Sequence, residues 1–173
     1  MKKISCIALA VLLMLGSMLA FSSCNAKTPE IPEGYQVYEN GGLSFAYPEN
    51  WTKTDGSTVI LINPTGIGNN ITVVYEGKTD MYAEMTAESF NELLKPTYEA
   101  MGMTLSNVTV NQKTSNGLDV TEINYTAKVM DTTMEQTAFI ATIGDRTYTV
   151  TITETTQDDT LVSNVFNTLY EVK

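Results

Sequence analysis

The sequence predicts an α+β fold in which an antiparallel β-sheet is flanked by helices, and three observations carry that prediction. Between Met103 and Thr155 apolar residues recur with period two, interrupted at Ser115-Asn116-Gly117, Asp131-Thr132-Thr133 and Gly144-Asp145-Arg146, which is the pattern of strands joined by tight turns. Residues 86–101 and 158–169 instead carry apolar stripes at helical spacing. Hydrophobic residues make up 43% of the 173-residue chain and charged residues 17%, so the composition is that of a globular protein with enough chain for one domain.

The chain begins with an address. Lys2 and Lys3 precede an apolar run from Ile4 to Phe21, followed by Ser22, Ser23 and Cys24, the layout of a secretory signal. The end of this run, Leu19-Ala20-Phe21-Ser22-Ser23-Cys24, resembles a bacterial lipobox, whose Cys is lipid-modified and becomes the mature N-terminus. Phe21 stands where that motif usually has Leu. The expectation is that residues 1–23 leave as a signal peptide and that Cys24 carries a diacylglycerol and a palmitate-type acyl chain. The protein would then be held on the extracytoplasmic face of the cell membrane. Cys6 departs with the signal, so Cys24 has no disulfide partner. Cleavage by an ordinary signal peptidase near Ser22 or Ala26 and retention of the run as an uncleaved anchor are the rival readings, since about 18 apolar residues can just span a bilayer. Removing residues 1–23 takes two lysines with it, so the exported 150 residues carry 8 basic and 20 acidic groups, a net charge of −12. Such a surface repels anionic headgroups, which leaves attachment to the acyl chains.

Residues 24–34 carry Pro29 and Pro32 and show no period, and are expected to form a tether. A single domain follows over 35–173. Tyr35–Tyr38 and Leu43–Tyr47 read as strands around the turn Asn40-Gly41-Gly42. Thr58–Asn63 is apolar on both faces and reads as a strand in the middle of a sheet covered on both sides. Ile71–Glu76 sets Ile71, Val73 and Tyr75 on one face. Thr86 is a suitable N-cap for a helix whose Phe90, Leu93, Leu94, Thr97, Tyr98 and Met101 form one stripe, with Gly102 as its stop. Pro96 removes a backbone donor from the middle, and the unbroken stripe implies a kinked helix and not two. In the following meander the apolar phase moves from Leu118 and Val120 to Ile123 and Tyr125, which predicts a β-bulge near Thr121 and Glu122. Met134–Ile143 is apolar on both faces. Asp158 and Asp159 place negative charge at the start of a closing helix with Leu161, Val162, Val165, Phe166 and Leu169 on one face.

The order of these elements, with Gly42-Leu43-Ser44-Phe45-Ala46-Tyr47-Pro48-Glu49-Asn50-Trp51 near the start and Asn164-Val165-Phe166-Asn167-Thr168-Leu169 in the last helix, resembles the PsbP-like family. That family includes the photosystem extrinsic protein PsbP, the Mog-type Ran-binding factor and many bacterial lipoproteins. The resemblance covers Tyr35 to Lys173 and implies an α/β/α sandwich used for docking onto proteins or small ligands without catalysis. None of the family's binding residues can be matched to positions in this chain.

Composition limits the chemistry. The chain has no His, which excludes His-based triads and His-containing zinc sites, and its net charge of −10 opposes nucleic-acid binding. Gly66-Ile67-Gly68 follows a strand but lacks the third glycine and the helix of a dinucleotide site, so it reads as a hairpin loop. Asp158-Asp159 and the acidic loop 76–84 lack cation-loop spacing and read as a helix cap and a solvated face. Methionines 81, 85, 101, 103, 130 and 134 read as core fillers in the absence of His or Cys partners. Thr147, Thr149, Thr151 and Thr153 alternate with Tyr148, Val150 and Ile152, an arrangement that suits an exposed strand face. The aromatic residues best able to anchor a partner are Trp51, Tyr47, Tyr75 and Tyr82, of which Tyr47 and Trp51 are equally suited to the core. A groove is expected near loops 64–70 and 76–84. The sequence therefore points to a non-catalytic protein-binding or accessory module with no cofactor and no metal. A small-ligand receptor is the alternative reading, and a carboxylate-dependent hydrolase, which needs no His, the third.

Overall fold

The computed structural model describes residues 28–64, 69–155 and 158–172. The signal-like run, Cys24 and residues 66–68 lie outside them. In chain order the elements are β1 (Tyr35–Asn40), β2 (Leu43–Pro48), β3 (Thr52–Thr54), β4 (Val59–Ile62), β5 (Asn70–Gly77), α1 (Ala87–Ala100), β6 (Met103–Ser115), β7 (Leu118–Val129), β8 (Thr132–Ile143), β9 (Arg146–Glu154), α2 (Asp159–Thr168) and β10 (Tyr170–Glu171). The predicted meander is present as β6–β9. Its second turn is tighter than expected, because Thr132 and Thr133 already belong to β8 and Met130 takes the left-handed backbone at φ 51°. The three-residue β3 carries no detectable period and was not expected.

Seven strands form one antiparallel sheet in the order β3-β4-β5-β9-β8-β7-β6, and β1-β2-β10 form a second. The large sheet is sandwiched. On one face lie α2 and the small sheet, whose Tyr38, Leu43, Phe45, Leu161, Val165 and Leu169 pack with Leu61, Val73, Val120, Phe139 and Val150. On the other face α1 places Phe90, Leu94 and Tyr98 over Ile123, Tyr125, Ala138 and Ile140. The small sheet is tied to α2 by the Ala46 N–H, which donates to Thr168 Oγ1 at 2.8 Å. Its hairpin is tied to β9 by the Tyr148 hydroxyl, which donates to the Gly41 carbonyl at 2.7 Å. Gly41 combines φ +60° with that close approach, and a Cβ there would meet the Tyr148 oxygen at 2.2 Å, so only glycine fits.

The two cores explain a misplaced bulge. β7 pairs with β8 without interruption through Thr121 and Glu122, so no bulge lies there. Leu118 and Val120 join the core under α2, while Ile123 and Tyr125 join the core under α1. The apolar phase reverses because one straight strand serves both faces in turn. β8 does the same with Phe139 and Ala141 on one face and Ala138 and Ile140 on the other, as its doubly apolar sequence predicts. The real register shift is in β6, between Ser106 and Thr109, where Asn107 adopts φ 54°. It brings Leu105 and Val108, which differ in parity, onto the α1 side together.

The expectation that Thr58–Asn63 is covered on both sides is corrected. β4 is next to the edge strand, its Val59 and Leu61 are buried, and Ile62 is 42% exposed on the other face. The threonines of β9 are likewise not an exposed row. Thr147 is fully buried, sharing a 3.0 Å hydrogen bond with Thr142 and accepting from the Thr79 N–H, and the others are half-buried. The core reading of the methionines holds for Met85, whereas Met81, Met101 and Met130 are exposed.

Candidate functional site

The site is built around α1. Thr86 caps it as expected: its Oγ1 accepts from the Ser89 N–H at 3.2 Å, and Ser89 Oγ accepts from the Thr86 N–H at 2.9 Å. The helix runs unbroken through Pro96 and ends before Gly102 at φ 72°. Its inward row is narrower than the predicted stripe. Phe90 is buried and Leu94 and Tyr98 are half-buried, but Leu93 is 50% exposed and Met101 57% exposed. The row sits on Tyr125, whose ring is 5.3 Å from Phe90 and meets Tyr98 edge-on at 6.1 Å. The Tyr98 and Tyr125 hydroxyls share a hydrogen bond of 3.1 Å, and the Tyr125 hydroxyl also donates to Gln136 Oε1. Burial, reinforced by the bond to Tyr98, pushes the Tyr125 hydroxyl far above its ordinary range, so it stays protonated and acts as a structural donor.

α1 covers only part of its face. Beside it, β9, β5 and β4 present Thr149, Thr151, Thr72, Val74, Ile60 and Ile62 on one face, with Thr151, Thr72 and Ile60 in one cross-strand row and Thr149 beside Val74. Val74 is 40% exposed and Ile62 42% exposed on this strip. Where the strip meets the helix there is a cavity of about 200 Å³, lined by Phe90, Leu93, Leu94, Ile140, Thr149 and Thr151 among others. Tyr82 closes one end. Its carbonyl accepts from Thr121 Oγ1 at 2.9 Å and from Gln112 Nε2 at 3.2 Å, and its hydroxyl donates to Glu76 Oε1 at 3.2 Å. Burial and the adjacent Glu76 charge push that hydroxyl above its usual range, so it too remains a donor. Beyond Tyr82 lies a more polar cavity of about 440 Å³, bordered by Lys78, Asp80, Gln112, Asp119, Thr121 and Glu171.

Of the four aromatic residues singled out by sequence, only Tyr82 lies in this groove. Tyr47 and Trp51 pack inside the core beneath α2, at 5% and 8% exposure. Tyr75 is exposed, but it follows Val73 on the opposite face of β5, with the Arg146 guanidinium 4.8 Å from its ring centre and Tyr148 5.8 Å away. Asn70 and Gly77, where the two loops expected to frame one groove meet β5, are its opposite ends, at about 3.3 Å per residue roughly 23 Å apart, and residues 65–68 of the first loop lie outside the described residues. Asp158 does cap α2, accepting from the Thr160 and Leu161 N–H groups. Ile62, Val74, Leu93, Thr149 and Thr151 were not foreseen as a surface. The available signal was the second apolar face of β4, Ile60 and Ile62, which no helix among the described residues covers.

The lining offers apolar contact, threonine hydroxyls and one carboxylate, Glu76, at its end. The polar cavity beyond Tyr82 is bordered by three acidic residues, Asp80, Asp119 and Glu171. No helix among the described residues is long and apolar enough to cross a membrane.

Comparison with known proteins bears on this geometry. The family model for PsbP matches residues 33–171. The solution structure of cyanobacterial PsbP (CyanoP) from Synechocystis sp. PCC 6803 superposes with a TM-score of 0.64 at 16% identity, covering 82% of this chain and 94% of that one. A crystal structure from Bacteroides thetaiotaomicron VPI-5482 superposes with a TM-score of 0.54 at 14% identity, covering 81% of this chain, which spans about half (49%) of that protein. No curated protein matches the sequence significantly.

Proposed function

The chain belongs to the PsbP family, and from that premise we propose that it is a lipid-anchored extracytoplasmic accessory module that docks a protein partner without catalysing a reaction. At family level the fold serves as a non-enzymatic accessory or binding domain. The observation that carries the reading for this chain is the half-covered sheet face, where exposed Leu93 lines a cavity and Val74 and Ile62 are exposed on the neighbouring strands. Exposed apolar residues brought together on one face mark an interaction site more often than a solvated surface. Cys24 supplies the anchor and the residues that follow it, to Gly34, supply the tether.

Photo-cross-linking from position 74 in intact cells, with position 162 on the other face as control, tests the docking. A discrete protein adduct from position 74 alone is expected, and adducts spread equally over both positions overturn it. Uptake of labelled palmitate tests the anchor: the parent is expected to take up label and Cys24→Ser to lose it, and a parent that takes up none overturns lipidation. The polar cavity of about 440 Å³ favours a second reading, a small-ligand receptor, because its size lies within the usual range of ligand pockets.

A further inference from the structure

The half-covered face has the dimensions of a missing helix. Alongside the three residues of β3 and the four of β4 it is four strands wide, and at about 4.8 Å per strand gap the strip there measures roughly 14 Å across. An α-helix with its side chains is about 10–12 Å in diameter. The flank of α1 that borders the strip carries Ser89, Leu93, Thr97 and Ala100, all exposed, so three of its four residues are small and a neighbouring backbone can come close. The cavity between Leu93 and Thr149 is about 200 Å³, enough to take one large apolar side chain as an anchor.

Charge narrows the occupant. Glu76 ends the strip, and Glu84, Glu88 and Glu92 are exposed on the loop and helix beside it. Of the cations near the strip, Lys95 is paired with Glu99 at 3.9 Å and Lys78 borders the polar cavity beyond Tyr82. A chain with net charge −10 opposes a second copy of itself. The strip keeps its full width only beside the four residues of β4 and narrows to β5 and β9 toward Glu76, so it also offers well under the ~800 Å² per partner that a stable association of two folded domains buries.

We propose that this strip seats one amphipathic helix of a partner protein, apolar on the inner side and flanked by lysine or arginine, lying alongside α1 and completing its layer. The proposal rests on the docking reading above and specifies the occupant.

The test uses the full chain and a synthetic peptide of about five helical turns, roughly 18 residues, with leucines at i, i+3, i+4 and i+7 and lysines elsewhere. Saturable one-to-one binding is expected, weakened about tenfold or more by Val74→Glu combined with Leu93→Glu. Both positions are exposed, and circular dichroism confirms that the variant stays folded. Because the double variant adds negative charge, a purely electrostatic association would strengthen, and that result overturns the proposal. Equal binding of the same composition with the stripe scrambled, or of a glutamate-flanked version, overturns it as well. So does sedimentation showing a dimer of the chain that Val74→Glu abolishes. If the peptide fails while cross-linking from position 74 still yields a protein adduct, the helix is wrong and the docking module stands; if both fail, docking itself is overturned.

Discussion

One face of the seven-stranded sheet is covered by α2 and the small sheet, whereas the other carries α1 over β6–β8 and nothing among the described residues over β4 and β5. β4 is apolar on both sides, offering Val59 and Leu61 to the covered face and Ile60 and Ile62 to the open one. Hydrophobic sequence therefore sets which faces can be buried, and the number of helices available decides which are. The surplus apolar face is what a partner can use.

This contrast can be broken at graded cost. The largest effect is expected on the covered side, where Phe45→Ala empties a fully buried position and should lower stability by about 3–5 kcal/mol in chemical denaturation. A smaller loss, about 1 kcal/mol, is expected from Asp158→Ala, which removes the acceptor for the first N–H groups of α2, and a similar one from Thr86→Ala at α1. Equal losses at both caps would show that the half-covered layer is no less firmly seated than the full one.

Glu154 allows a pH test at the edge of the covered side. Its carboxyl is buried, Oε1 has no hydrogen-bond partner among the described residues, and Oε2 accepts from the Asp158 N–H at 3.2 Å. Burial, with Asp158 and Asp159 adding to it, raises its pKa above the ordinary carboxylate value. The folded state thus keeps a proton that the unfolded chain releases. The stability contribution of this group is full below its unfolded pKa and is lost as pH rises through the raised folded value. Glu154→Gln is therefore expected to be more stable than the parent at neutral pH, with the gap closing toward pH 4.5, and thermal melts across that range will show it. The smallest effect belongs to the open side, where Ile62→Thr should change stability by less than about 0.5 kcal/mol while weakening partner capture.

Local chemistry was well written in the sequence. The caps at Thr86 and Asp158, the stop at Gly102 and the four strands of the meander follow from residues close together in the chain, and all stand where expected. What could not be read was which of two buried faces a residue joins. Leu118 and Ile123 differ only in parity, and that difference looks the same whether a strand bulges or simply passes from one core to another. The candidate site suffered from the same limit. Tyr47 and Trp51 satisfy the core and a binding patch equally well as sequence, and Val74 is conspicuous only once it is known that α1 stops short of it. β3 was missed because three residues hold no period.

The pairing of β5 with β9 has a kinetic consequence. It joins residues 70–77 to residues 146–154, across all of α1 and the first three strands of the meander. Every other neighbouring pair in the large sheet is consecutive in the chain. Closing that one long loop carries the main entropic cost of assembling the sheet, so the meander can form from short-range hairpins before β3, β4 and β5 arrive. The seam between β5 and β9 is then the last to zip, and it runs directly beneath Val74 and Thr149. A ligand bridging that seam would act as a staple, slowing unfolding while leaving the rate of folding almost untouched.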